Sequence, residues 1–270
     1  MKNRDIENVD YLSINRKAWN KQVGVHLKSD FYAVNEFIKG QTSLNSIELD
    51  LLTDVWQKKL LHLQCHFGQD SISLSRMGAQ VTGIDLSDKA IEEAYILAQK
   101  CNSKAHFVCC DVYDVNNQIN EKFDIVFSSY GTIGWLPDLN KWAKVISKAL
   151  KPGGEFVFVE FHPVVWMFDD NFERIAYNYF NSGPILETNT GTYADKNAPI
   201  QNELVMWNHS LADVIQNLIC NGLEISSFSE FDYSPYNCFK NTVEVESKKF
   251  RIKHLGNNIP MVYALKAKKK

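Results

Sequence analysis

Residues 60–87 read "LLHLQCHFGQDSISLSRMGAQVTGIDLS", and the fold turns on them. The apolar run at the start suits a buried strand, and the loop "QCHFGQD" follows. A helix over 69–78 comes next, with a weaker pattern, and "QVTGI" (80–84) then supplies a second strand that ends on Asp85. Strand, loop, helix, strand and acid is how a nucleotide-binding half-domain begins. Such loops usually carry several glycines, whereas this one has only Gly68.

Outward from this stretch the alternation continues. "KLLHLQ" (59–64), "QVTGI" (80–84), "AHFVC" (105–109), "FDIVFS" (123–128) and "GEFVFVE" (154–160) are five short runs of strand character. Between them, "DKAIEEAYILAQK" places Ile91, Ala94, Tyr95 and Ala98 on one helical face, and "DLNKWAKVISKAL" does so with Leu139, Trp142, Ile146 and Ala149. "KPGG" (151–154) reads as the stop of that second helix. Crossovers long enough for a helix imply a parallel sheet covered on both faces, with ligands beyond the carboxyl ends of its strands.

Farther on, "NHSLADVIQNLICNG" has Ser210 as N-cap, Asp213 closing a capping box, a stripe of Leu211, Val214, Ile215 and Leu218, and Gly222 as the stop. "EISSFSEFDY" and "MVYALKA" are two further strands. The irregular segment between them leaves the last strand free to enter antiparallel. Two segments lie outside this frame: residues 1–57, helical and carrying Tyr11, Trp19, His26, Phe31 and Tyr32, and residues 161–208, aromatic and loop-rich. Both suit a cover over the ligand edge of the sheet, giving an N-terminal helical cap (1–57) and a main domain (58–270) with an inserted lid (161–208).

Composition narrows the function. A 270-residue chain that is 45% hydrophobic can bury a full core. Its net charge of −3 and pI near 6.2 give no general pull toward nucleic acid or an anionic membrane. No run approaches the roughly 18 apolar residues of a membrane span, and "MKNRDIENVD" has no apolar signal region, so a cytoplasmic protein is expected. The six cysteines form no CxxC pair, and no metal is expected. His62 and His66 fall on a strand and the loop after it, a poor arrangement for shared ligation.

The strand ends carry the chemistry. Gly68 ahead of a helix lets backbone approach a ligand, and the helix N-terminus offers free amides. Asp85 stands where a carboxylate would accept ribose hydroxyls; alternatively it caps the next helix, a role open to Ser87 as well. Past the third strand, "CCDVYD" offers Asp111, preferred over Asp114, for an adenine amino group, with Val112 against the ring. The fourth strand runs into "SSYGTIGW", a tight turn containing Ser129 and Tyr130.

With an acid after strand two, an acid after strand three, "FDIVFSSYGTIGWL" and "ALKPGGEFVFVE", residues 58–161 resemble the class I S-adenosylmethionine-dependent methyltransferases. The resemblance extends toward residue 267 and implies a Rossmann-like seven-stranded α/β sheet, six strands parallel and the last antiparallel. The departure is the opening loop. Where the family shows an acid and then a glycine-x-glycine-x-glycine pattern, this chain has His62, Gln64, His66 and Gly68. "LHLQCHFGQD" is similar to the variant loop of an uncharacterised branch of that family, in which "NRKAWN", "WNHSL" and "SPYNCF" recur.

The resemblance implies that S-adenosylmethionine is held by Tyr11, Trp19, Gln64, Cys65, His66, Gly68, Asp85, Leu86, Asp111, Val112, Ser129 and Tyr130. Gln64 or Asp70 would replace the missing acid at the cofactor's amino group. Methyl transfer from a sulfonium needs alignment and exclusion of water, and a hydroxyl or amine acceptor also needs a base. His162, directly after strand five in "EFHP", is the first candidate, with Tyr130 beside it and His26 and His209 as runners-up. Trp19, Trp135, Trp166, Trp207 and Tyr130 are candidate walls of an acceptor pocket. "SSYGTIG" lacks the motif of DNA-base methylases, and a small-molecule acceptor is expected. Two alternatives stand beside it, a non-catalytic S-adenosylmethionine-binding protein and a nicotinamide-dependent oxidoreductase, the latter without its GxGxxG.

Overall fold

The computed structural model describes residues 9–270. The first eight residues of the expected N-terminal cap lie outside the described chain. At the N-terminus come α1 (Tyr11–His26), α2 (Val34–Ile38) and α3 (Ser46–Leu51). The alternating frame follows as β1 (Lys59–His62), α4 (Gln69–Arg76), β2 (Gln80–Asp85), α5 (Asp88–Lys100), β3 (His106–Cys109), α6 (Val115–Gln118), β4 (Phe123–Ser129), α7 (Leu139–Ala149) and β5 (Leu150–Phe161). After β5 come β6 (Ile185–Thr190), β7 (Gln201–Met206), α8 (Leu211–Cys220), β8 (Leu223–Phe231), β9 (Thr242–Glu246), β10 (Lys249–Ile252) and β11 (Val262–Lys269).

One seven-stranded sheet runs β3-β2-β1-β4-β5-β11-β8. The first five strands pair in parallel, and β11 lies antiparallel to both β5 and β8. The antiparallel strand is thus next to the edge, wedged between two parallel ones. The sheet is Rossmann-like, as the sequence implied. Its central strands are apolar on both faces: Leu60, Leu61, Val126, Phe127 and residues 156–159 have essentially no solvent contact, because helices cover both sides. Among the described residues no helix is long and apolar enough to cross a membrane.

Several local expectations are refined. The helix before β5 does not stop at "KPGG"; it ends at Ala149, and Leu150 already pairs with Phe123. "KPGG" is instead an extra loop within the strand, since the next partners are Ile125 and Glu155. On α5, Tyr95 is 39% exposed rather than core, and its hydroxyl donates to the Phe107 carbonyl at 2.6 Å, so Ala90 and Leu97 complete the buried stripe. The capping box of Ser210 and Asp213 on α8 is present as expected. Both irregular segments contain antiparallel hairpins, β6–β7 within 161–208 and β9–β10 before β11.

Candidate functional site

The loop after β1 is built in the left-handed region. Gln64, His66 and Gly68 have φ of 53°, 51° and 82°. These are the positions where the resembled family carries glycines, so the backbone course is kept although two of the glycines are gone. A non-glycine residue pays about 1–2 kcal/mol for that conformation. Contacts hold it in place: the Gln64 Nε2 donates to the Thr132 carbonyl at 2.9 Å, and the His66 amide donates to Asp85 Oδ2 at 2.8 Å. At Gly68 no side chain fits, because a Cβ there would meet the Phe107 ring at 2.7 Å.

Asp85 therefore buttresses the loop as well as ending β2. Its other oxygen accepts the Ser87 amide at 2.8 Å, and Ser87, not Asp85, caps α5 by accepting the Ala90 amide. Burial pushes the Asp85 carboxyl up to about 6 against the pull of these amides. Asp111 begins the turn after β3 and accepts the Tyr113 amide at 3.1 Å; burial raises its carboxyl too. His62, in the position of the family acid, is buried with Nδ1 2.8 Å from the Ser71 hydroxyl, and burial drops its pKa to about 3. It stays neutral and cannot supply the missing negative charge. Asp70 in the first turn of α4 is a carboxyl on the same cavity as His62; burial raises it, and it accepts the Ser129 hydroxyl at 3.3 Å.

These groups border a cavity of about 1140 Å³ at the carboxyl ends of β1, β2, β4 and β5. Every cofactor candidate named from the sequence is on its wall, from Tyr11 and Trp19 on α1 through Gln64, Cys65, His66 and Gly68 to Asp85, Leu86, Asp111, Val112, Ser129 and Tyr130. α1 is fastened across the top: Asn15 exchanges hydrogen bonds with Val205 of β7, and Asn20 bonds Ser87 and Asp88. Trp19 sets its edge against His66 and Trp135, at centroid distances of 5.3 and 5.4 Å. Tyr11 does the same with Trp207 at 5.2 Å.

The catalytic candidates separate. His162 is not on the cavity wall; it is 3% exposed, its Nδ1 accepts the Val164 amide at 3.2 Å, and its Nε2 lies 2.8 Å from Glu230. Nδ1 is thus engaged in the turn after β5, and Nε2 faces Glu230 of β8. His209 does face the cavity, with Nε2 2.8 Å from the Leu136 carbonyl. His26 is buried behind the wall, 3.0 Å from His66. Tyr130 lies on the wall with φ of 43°, and its hydroxyl donates to Glu48 Oε2 at 3.0 Å. Glu48 has no solvent contact, and burial together with the nearby Asp70 raises its carboxyl to about 7. Of the aromatic candidates, Trp135, Trp166 and Trp207 all border the cavity, and the Trp135 Nε1 donates to the Gly131 carbonyl.

Two residues escaped the sequence reading. Glu48 had a signal, since "NSIE" is a capping-box spacing, and Asn45 and Glu48 do form that box on α3. Glu160, buried at the end of β5, accepts the amides of Gly131, Thr132, Ile133 and Phe161 and the Thr132 hydroxyl. It fixes the whole turn that follows β4. An acid ending an apolar run, "FVFVEF", was its only mark.

Comparison with known proteins agrees with this arrangement. Residues 60–154 match the family model for a methyltransferase domain. A ubiquinone biosynthesis O-methyltransferase of Idiomarina loihiensis is 32% identical over 101 residues, which cover 37% of this chain and 41% of that one. The likeness there is therefore to less than half of the relative. An uncharacterized methyltransferase of Bacillus subtilis is 25% identical over 234 residues, covering 80% and 89%. A solved structure, a putative S-adenosylmethionine-dependent methyltransferase from Listeria monocytogenes, shares the fold with a TM-score of 0.57 at 23% identity, over 83% of this chain and 96% of the other. Strand order and the match of residues 60–154 to a methyltransferase domain together agree with the resemblance read from the sequence.

Proposed function

We propose that the protein transfers a methyl group from S-adenosylmethionine to a hydroxyl or amine of a small molecule enclosed in the cavity. The observation that carries this is the convergence of Asp85, Asp111 and the left-handed loop 64–68 on one cavity. At about 1140 Å³ it exceeds the roughly 300–1,000 Å³ of single-ligand pockets, which leaves room for a cofactor and an acceptor together. The donor set fits the cofactor. Gln64 Oε1 and His66 Nδ1 are buried without partners on the loop, and Asp85 and Asp111 are acceptors for hydroxyl and amino groups.

In this reading Asp85 holds the ribose, Asp111 and Val112 the adenine, and Asp70 or Gln64 the amino group. Once bound, S-adenosylmethionine supplies an electrophilic methyl on a sulfonium. α1 (in the cap, 1–57) and the 161–208 insertion serve as cover and lid, keep water out and orient the acceptor. Tyr130 and Glu48, rather than His162, receive the acceptor's proton: the Tyr130 oxygen takes it while the phenolic proton passes to the Glu48 carboxylate. The acceptor is a small molecule and not a nucleic acid, as the net charge of −3 supports. In this reading the reaction takes place in the cytoplasm, as expected from the sequence.

The test is calorimetric titration of the purified protein with S-adenosylhomocysteine, with NAD as control. Micromolar-range binding of the first and none of the second is expected. Silence with S-adenosylhomocysteine overturns the cofactor assignment, and binding of NAD alone replaces it with the oxidoreductase.

A further inference from the structure

His26 and His66 meet through their ring nitrogens. His26 Nδ1 is 3.0 Å from His66 Nε2, the ring centroids are 5.1 Å apart with 22° between their planes, and Tyr32 packs beside both, 5.2 Å from His26 and 5.5 Å from His66. A nitrogen–nitrogen hydrogen bond needs one N–H and one lone pair, which two neutral rings in complementary tautomers supply. The outer nitrogens, His26 Nε2 and His66 Nδ1, are buried and have no partner. His26 itself is 0% exposed. A second proton on either ring would set two donors against each other, or leave an unpaired cation buried among aromatic rings.

The contact joins the last turn of α1 to the loop that bears Gln64, His66 and Gly68. The middle of α1 is fastened separately, through Asn15 and Asn20. The imidazole pair thus ties down the middle of the segment from Gln22 to Tyr32, whose far end accepts Gln69 Nε2 at the Tyr32 carbonyl and reaches the Tyr193 hydroxyl in the insertion. We propose that His26 is a positioning residue that latches this segment onto the cofactor loop through His66, and that the latch opens when either ring takes a second proton. The proposal rests on the cofactor assignment above for its functional meaning, though not for its existence.

Burial holds the His26 ring down at about 4, against 6.5 when free. His66 is pushed in the same direction by burial and by His26. A ring whose pKa is lowered in the closed state stabilises closure fully above the free value, and loses that contribution as pH falls toward the closed value. Between about pH 7.5 and 5.5 the open population should rise about tenfold from His26 alone. Other titratable groups face the pair: Tyr32 from the turn after α1, Tyr193 from the insertion and Asp85 from β2, with Asp70, Tyr236 and Cys238 behind the tyrosines. The tyrosines are raised and stay neutral in this window. Asp85 does titrate in it, with the opposite sign, because its carboxyl is raised.

The experiment is hydrogen exchange of the segment 22–32 in the full chain at about pH 7.5 and 5.5, corrected for the intrinsic pH dependence of exchange. It is paired with S-adenosylhomocysteine dissociation rates at both pH values. The wild type should open about tenfold more at the lower pH. His26→Gln, which keeps a hydrogen-bonding side chain without a titrating ring, should keep protection at the higher pH and lose the share of the pH dependence that His26 supplies. His26→Phe, which keeps the ring packing alone, should be unlatched at both. Equal opening of the wild type at both pH values overturns the proposal, as does a pH dependence that is undiminished in His26→Gln. If the wild type binds no S-adenosylhomocysteine, the cofactor assignment fails while the exchange result still decides the latch.

Discussion

Removing the Asp85 carboxylate tests the site at the point where fold and ligand share one group. The side chain accepts two backbone amides at 2.8 Å each, from His66 in the loop and from Ser87 at the cap of α5. A carboxyl shifted by burial from 3.8 to about 6 carries its negative charge at a cost of about 3 kcal/mol at neutral pH. That cost has no return in the protein alone, and a ligand offering hydroxyl donors is where the return would come. Asp85→Asn keeps the shape, removes the charge and leaves one amide facing an NH2 group. S-adenosylhomocysteine should bind about 1–3 kcal/mol more weakly, or roughly 5- to 150-fold in Kd. In the wild type, affinity should fall as pH drops through about 6, where the carboxylate takes up its proton. The variant should lack that dependence. Calorimetry at a series of pH values reads both effects, and an unchanged Kd in Asp85→Asn would remove Asp85 from the ligand's contacts.

Other consequences are equally direct. Gly68→Ala combines a left-handed φ of 82° with a Cβ 2.7 Å from Phe107, and should cost about 2–5 kcal/mol in denaturant unfolding. Glu160→Gln deprives the turn after β4 of a charged acceptor for its amides, and a loss of about 1.5–3 kcal/mol is expected by the same measurement. Glu230→Gln removes the carboxylate that raises the His162 pKa against burial, so the ring should titrate lower still by NMR; an upward shift would contradict the contact. His62, held near 3 by burial, adds stability that is complete above about 6.5 and wanes as pH falls toward 3. His62→Gln should flatten that part of the acid-unfolding curve.

The frame was legible because its signals are local. Short apolar runs of β-branched and aromatic residues gave the strands, and strand-end acids gave Asp85 and Asp111, since the carboxyl edge of a parallel sheet is where ligands sit. His162 shows where that logic ends. It follows β5 directly, yet Glu160, Phe161 and Pro163 border the cavity while His162 packs toward Glu230. Glu48 and Glu160 were missed for another reason. Each acts on residues far away in sequence, Glu48 on Tyr130 and Glu160 on the 131–133 turn, and no periodicity reports such a pairing. "KPGG" was misjudged because proline and glycine stop a helix and interrupt a strand alike, and only the register of β4 against β5 tells the two apart.

The opening loop explains how a glycine pattern can be lost without its geometry. Gln64 and His66 together carry about 2–4 kcal/mol of left-handed strain. Against it stand one hydrogen bond to the Thr132 carbonyl, one charge-assisted bond to Asp85, and the packing of His66 against His26, Tyr32 and Trp19. A glycine at either position would relieve the strain but bring no side chain to the ligand edge. Here the loop instead presents an amide oxygen and an imidazole nitrogen, both buried and unpaired, into the space that glycines would leave bare. The cost falls on the backbone and the gain on recognition, and Asp85 links the two. Losing its carboxylate should therefore loosen the loop and weaken ligand binding together. A His66→Gly variant should separate them, restoring backbone freedom while removing one ligand contact and the partner of His26. If it gained stability and kept its affinity for S-adenosylhomocysteine, the imidazole would have no part in binding; reduced affinity at undiminished stability is the expected result.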